Sequence, residues 1–262
     1  MGAFPRRDFL KLLAAWAATP VLEQAASGTQ RRLIVNADDF GLTRGVCEGI
    51  VYAHRNGIVT STSILADAAA FDHGVELLRA TPSLDLGVHL VLWPDGMSFF
   101  PFLGRVMKWP SERIEREFSR QVEKVLAAGL KISHLDTHKH THLYPNVMRA
   151  VVAVARRFEV RWVRRAATAR GIHRHGLCTA DHFRTERLDR RRLRQAIRSL
   201  QPGLTEWMTH CGYYDAELER VSTRLKRQRQ KELEALTAPE ARALLAECRV
   251  ELTTFAGCGS RA

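Results

Sequence analysis

The chain has no apolar run fit to span a bilayer: LLAAWAATPVL, near its start, is too short and too rich in alanine. It has no low-complexity tract, no internal repeat and no linker-like stretch, which argues against a disordered or solenoid protein and leaves one domain as the simplest division. Cysteine is sparse. Cys47, Cys178, Cys211, Cys248 and Cys258 are odd in number and lack metal-type spacing, so no disulfide framework is expected, although a single disulfide is compatible with an oxidising compartment. Acidic side chains are outnumbered by basic ones, 28 against 40, for a net charge of +12. Such an imbalance raises nucleic acid as a partner. Yet the arginines lie along helical stretches (RRFEVRWVRR, RLDRRRLRQAIR, RLKRQRQK) with no nucleic-acid-binding motif, so they are read as solvated helix faces and no nucleic acid is expected.

Residues 1–26 stand apart. Arg6-Arg7-Asp8-Phe9-Leu10-Lys11, then a short apolar run, then small residues, is the order of a Tat-type export signal. The expectation is a periplasmic or otherwise exported protein, cytoplasmic if the leader is not used, with a globular domain over residues 27–262.

In that domain, strand-like and helix-like stretches alternate. RRLIVNAD, IVTSTSIL, LDLGVHLVLW, KISHLDTH, VRWVRR, TEWMTHCG and VELTTFA read as strands. Between them, helices are expected at Val46–Asn56, in AAAFDHGVELLRATP, from Ser111 to a stop at Gly129, at Pro145–Phe158, in DRRRLRQAIRSL, as one basic helix over 217–235, and after a capping-box-like start at Thr237. Residues 168–188 lack periodicity and read as a long loop. The pattern predicts an α/β fold: a single (β/α) barrel-like domain with mostly parallel strands.

In such folds chemistry sits at the C-terminal ends of the strands. Those ends carry Asn36, Asp38 and Asp39, then Ser61 to Ser63, then His89, then the HLDTHKHTH run, then Glu206 and His210. In HLDTHKHTH, His134, Asp136, His138, His140 and His142 recur at every second position, which on a strand starts them on one side. The chain should leave regular structure near His138, so one or two of these residues would hold a metal ion and the others would orient them. In NADDFG two adjacent carboxylates can serve one site only where the strand turns, and Gly41 permits that turn. One would bind metal and the other accept a proton; the alternative is a helix N-cap. His89, on an apolar strand, supplies a second nitrogen, and His210 (or His140) is a candidate general acid. Trp93, Phe99, Phe100, Phe102 and Trp109 form an apolar stretch that suits either a sugar- or lipid-facing lip or an ordinary packed loop.

NADDFGLTRGVCEGI, NGIVTSTSILA, LGVHLVL, HLDTHKHTHLYP and EWMTHCGY, in that order, resemble the YdjC-like carbohydrate deacetylase family, from Arg32 to about Phe255. The resemblance implies metal-dependent removal of acetyl from an N-acetylated sugar, such as a chitooligosaccharide or an N-acetylglucosaminyl glycan or lipid. It places the metal ligands on Asp39, His89 and His138 and the catalytic base on Asp38, with His210 as the candidate acid. Asn36, His134, Asp136, His140 and His142 become supporting or substrate-side residues. The cofactor is one divalent ion, zinc by ligand type or magnesium by family habit. Other readings are a hydrolase of a different bond, such as a phosphoester, and a non-catalytic carbohydrate- or polyanion-binding protein on the same fold. The sequence admits a homodimer and no stable membrane span.

Overall fold

The computed structural model describes residues 30–92, 104, 106–165 and 172–259. The Tat-type leader at 1–26 and most of the aromatic stretch from Trp93 lie outside these residues. Strands are β1 (Arg31–Phe40), β2 (Ser61–Ile64), β3 (Asp85–Leu90), β4 (His134–Thr137), β5 (Trp162–Val163), β6 (His182–Arg184), β7 (Gly203–Thr209) and β8 (Val250–Leu252). Helices are α1 (Arg44–Asn56), α2 (Phe71–Arg79), α3 (Ser111–Ala127), α4 (Pro145–Arg157), α5 (Arg190–Arg198), α6 (Ala216–Arg220), α7 (Lys226–Leu236) and α8 (Pro239–Glu247). Every ladder is parallel, in the order β5-β4-β3-β2-β1-β7-β6, and β8 also pairs with β1. The sheet curls into a half-barrel within one domain, as the alternation of elements predicted.

β1 is the centre of this sheet. β7 runs along one edge of it from Arg31 to Ala37; on the other edge β8 pairs with Arg31–Leu33 and β2 takes over from Asn36. Alternation along the strands separates two environments. Leu33, Val35, Ala37, Leu86, Val88, Leu135, Val163 and Trp207 face the helices in the main core. Facing the barrel interior, Ile34, Trp162, Leu204 and Phe255 make a small apolar floor. Above it, toward the strand C-termini, the interior becomes polar: Asn36 and Asp38, Ser63, His89, Asp136, Arg164 and Glu206 are all buried. A large apolar side chain fully buried in such a core contributes roughly 1.5–3 kcal/mol, and the helix-side core supplies the stability that lets the upper interior stay polar.

Several local expectations change. The stretch 168–188 is not all loop: it holds β6, and Cys178 bridges to Trp162. The basic run 217–235 is broken into α6 and α7, because Val221 adopts an extended backbone (φ −75, ψ 139) that ends α6. Thr237 does not cap α8; its hydroxyl donates back to Leu233 O, and Pro239 starts the helix. All five cysteines are free thiols. The N-cap of α1 is Thr43, whose Oγ1 accepts from Val46 N, so the aspartate pair is not spent on capping. No helix among the described residues is long and apolar enough to cross a membrane.

Gly49 shows why α1 packs closely on the segment after β7. A Cβ there would lie 2.6 Å from Tyr213 N and 2.7 Å from Gly212 Cα, both backbone atoms. Gly49→Ala must push that segment, and His210 with it, off α1. It is expected to lower stability by about 1–3 kcal/mol, measured by urea unfolding, in line with overpacking of a tight contact.

Candidate functional site

Asn36 and Asp38, two apart on β1, face the interior together, and an ideal strand would turn Asp39 away from them. Two features bring it back: Asp39 itself has a left-handed backbone (φ 70), and the β1–β2 register shifts between Ala37 and Phe40. Such a bulge re-aims a side chain at a strand end. The turn expected at Gly41 (φ 94) thus begins earlier, at Asp39.

The result is a compact set of donor atoms. Asp39 Oδ1 lies 3.4 Å from His89 Nε2 and 3.4 Å from His138 Nδ1, and the two nitrogens are 3.2 Å apart. Asp39 Oδ1 is buried and takes no hydrogen bond from any described residue. Ligand atoms around an ion held tetrahedrally at about 2.0–2.1 Å are separated by ~3.3 Å, so the donor set fits a divalent ion. His138, with its side chain 31% exposed, marks the side open to solvent, whereas Asp39 and His89 are buried.

Behind this face, Asp136 Oδ1 lies 2.7 Å from His89 Nδ1. When His89 is neutral, as a metal ligand must be, a proton held on Nδ1 by Asp136 leaves the Nε2 lone pair pointing at Asp39 and His138. Ser63 Oγ donates to Asp136 Oδ2 at 2.9 Å, and Asn36 Nδ2 donates to Asp38 Oδ1 at 2.8 Å and to Ser63 Oγ at 3.3 Å. Burial alone would lower the His89 pKa, but Asp136, Asp38 and Asp39 outweigh it and raise it to about 9.

Two arginines that the sequence placed on solvated helix faces are buried here. Arg164, on the interior side just past β5, gives two hydrogen bonds to Asp38, Nη1 to Oδ2 and Nη2 to Oδ1, each 2.7 Å. It also reaches Asp136 Oδ2 at 2.7 Å and donates from Nε to Glu206 Oε1 at 2.7 Å. The clue to it was available: in VRWVRR, Trp162 faces in, Val163 out and Arg164 in again. Arg229, on α7, is 1% exposed and donates from Nη2 to Asp39 Oδ2. Burial tends to raise the Asp39 pKa, but Arg229, with His138 and His89, holds it well below the usual carboxylate range.

The charges do not balance within this shell. Four buried carboxyls (Asp38, Asp39, Asp136 and Glu206) face two buried guanidiniums. Protons can cover that deficit of two, one on His89 and one on Glu206, whose pKa burial pushes up to about 7 against the pull of Arg164. A divalent cation bound at His89 Nε2 would take the place of the His89 proton and supply positive charge to the same acids. Asp38, His89 and Asp136 also converge, but there the Arg164 guanidinium already bridges both carboxylates.

The remaining histidines divide. His134 turns down to the barrel floor: it stacks on Phe255 with centroids 3.9 Å apart, Nδ1 meets Ser133 Oγ at 2.9 Å, and Gly87 leaves room for its ring. It is therefore a packing residue away from the donor set, not a supporting residue of it. His142 is buried between Thr137 Oγ1 (2.6 Å) and Arg165 O (3.2 Å), tying β4 to the segment that carries Arg164. His140 packs edge-on against His142 and Phe183, and burial, then Arg164, hold its pKa well below the ordinary value. His210 follows β7, with its backbone N–H donating to Glu232 Oε2. Burial lowers its pKa to about 4, though Asp39 and Asp38 pull the other way. His182 lies in β6 against Pro202 O. Trp109 packs on the core under the Arg113 guanidinium.

Two measurements follow from this network. Arg164→Met leaves three buried carboxylates without their counter-charge and is expected to cost about 3–5 kcal/mol in urea unfolding. Glu206 has a folded pKa near 7 against an ordinary 4.5, so its stabilising contribution is complete below the lower value and is lost as pH rises through the upper one. Stability followed from pH 4.5 to 8 should show this loss in the wild type, and Glu206→Gln should flatten it.

The model of the YdjC-like protein family matches residues 32–247. A carbohydrate deacetylase of Brevibacillus brevis is 33% identical over 248 residues, covering 87% of this chain and 100% of that protein. One from Geobacillus stearothermophilus is 36% identical over 242 residues, covering 86% and 97%. Among solved structures, a protein of Enterococcus faecalis named for cellobiose-phosphate cleavage has a TM-score of 0.75 at 24% identity, covering 87% of this chain and 99% of that one. A family 4 carbohydrate esterase from Streptomyces lividans has a TM-score of 0.54 at 14% identity, covering 90% and 98%. These two likenesses are of fold. The family match spans the aspartate pair, His89, the histidine run and His210, and with it the chain belongs to the YdjC-like family.

Proposed function

We propose that this protein is a metal-dependent hydrolase that removes the acetyl group from an N-acetylated sugar. One observation carries the reading: three donor atoms from three strand ends, Asp39 Oδ1, His89 Nε2 and His138 Nδ1, lie 3.2–3.4 Å apart beside a second aspartate. The name carbohydrate deacetylase on relatives that align over most of this chain supports the substrate class.

A divalent ion, once bound, would acidify water and polarise the acetyl carbonyl. The chain's own groups would do the rest. Asp38, clamped by Arg164 and by Asn36, is held in one orientation to accept the proton of the attacking water. His210 is neutral in the resting protein, so it does not begin as an acid. It would relay to the departing amine the proton that Asp38 has accepted, which keeps the proton count of amide hydrolysis balanced. Asp136 fixes the tautomer of His89. Two nitrogens and one carboxylate suit zinc, and the choice between zinc and magnesium is one for metal analysis. The leader supports export of the folded protein by the Tat route.

The test is acetate release from a panel of N-acetylated sugars by protein purified without chelator, with the bound metal identified. Chelation should abolish release and re-addition of the ion restore it. Asp38→Asn should lower kcat by about 100-fold or more while still binding metal. A fully active Asp38→Asn protein sinks the mechanism, and metal binding without acetate release from any sugar sinks the activity.

A further inference from the structure

Arg229 enters the site from the far end of the chain. α7 is tied to the segment after β7 at three points: Gly212 N donates to Arg229 O, His210 N to Glu232 Oε2, and Tyr214 N to Gln230 Oε1. From this helix the Arg229 side chain runs inward to Asp39, where Nη2 donates to Oδ2. Its Nε and Nη1, both buried, make no hydrogen bond to any described residue.

That is an uneconomical way to stabilise a fold. A buried guanidinium is costly unless its donors are used, and a well-packed apolar side chain often serves stability as well or better. Arg164, a few ångströms of network away, uses Nε, Nη1 and Nη2 on three acids. Arg229 makes a single side-chain hydrogen bond among the described residues, to one oxygen of one aspartate. That aspartate has an unfavourable left-handed backbone (φ 70), so its direction is not set by relaxed strand geometry. Its other oxygen, Oδ1, is the unpartnered atom facing His89 and His138.

We infer that Arg229 is a positioning residue that occupies Asp39 Oδ2, so that Asp39 presents Oδ1 alone to the ion. The inference rests on the reading that Asp39, His89 and His138 hold that ion. With Oδ2 engaged, the carboxylate cannot rotate to offer both oxygens, and the 3.2–3.4 Å spacing of the three donors is preserved. Without Arg229, Oδ2 is free to swing toward the ion or toward solvent, and the three-donor arrangement loosens.

The probe is cobalt(II) added to the metal-free full-length protein, read by equilibrium dialysis and by the visible absorption that distinguishes four-coordinate from higher-coordinate ion. Arg229→Gln is expected to bind cobalt about 10–100-fold more weakly, with weakened four-coordinate bands. Arg229→Lys keeps a charge and one N–H for Oδ2 and is expected to recover most of both. In an Asp39→Asn background, Arg229→Gln should have no further effect on cobalt affinity. An Arg229→Gln protein within about twofold of wild-type affinity, with an unchanged spectrum, overturns the inference. Should Arg229→Gln fail to fold, Arg229→Lys decides: wild-type affinity and bands support the single-contact lock, and loss of both overturns it. A wild-type protein that binds no cobalt overturns instead the reading of Asp39, His89 and His138 as the ion's site.

Discussion

One guanidinium holds the upper half of this barrel together. Arg164 joins Asp38 from β1 and Glu206 from its neighbour β7 to Asp136 from β4, a strand separated from β1 in the sheet by β3 and β2. Carboxylates placed this close inside an apolar shell would repel one another and resist burial. Arg164 turns that repulsion into a cross-brace spanning the half-barrel. It also fixes, through Asp136, the ring of His89 and, directly, the orientation of Asp38. The donor face toward solvent exists because this bridge stands behind it.

The parts of this arrangement that were legible in the sequence share a property: each is local. NADDFG puts two acids at the end of an apolar strand, and the alternating histidines announce a strand leaving regular structure, so Asp38, Asp39, His89 and His138 could be picked out and the structure brings them together. What was hidden depends on pairing across the chain. Arg164 and Arg229 lie in basic runs read as solvated; strand alternation past Trp162 marks Arg164, but nothing local marks Arg229 as the residue of its helix that turns inward. His134 and His142 look like their neighbours in HLDTHKHTH, yet one packs on Phe255 and the other bonds to Thr137 and Arg165, because the strand's depth in the barrel decides what each meets. β6 was missed since an edge strand of three residues carries too few side chains to show a period. The break between α6 and α7 was masked by uniform polarity.

Irregular backbone is concentrated where the donors converge. Asp39 is left-handed, and so are Lys139 and His140 just after His138 (φ 54 and 53). Each such residue costs on the order of 1–2 kcal/mol, and none of the three is glycine. The strain sits on both sides of the donor set, and the surrounding ties, Arg229 on Asp39 and Thr137 on His142, hold those turns in place. Regular strands alone could not have aimed adjacent aspartates, or a histidine just past a strand's end, at one point.

The central position of β1 has a kinetic side. The first strand of the domain to be synthesised is flanked by β7 and β8, with Arg31 paired to both Gly203 and Val250, so neither edge can close along its length until nearly the whole chain is available. Contacts this distant in sequence make slow folding topologies. The aspartates at the end of β1 therefore wait, unbraced, for Arg164, Arg229 and the last strands. A nascent chain of this protein does not yet hold the donor face, so any ion that Asp39, His89 and His138 take would be captured by the finished fold.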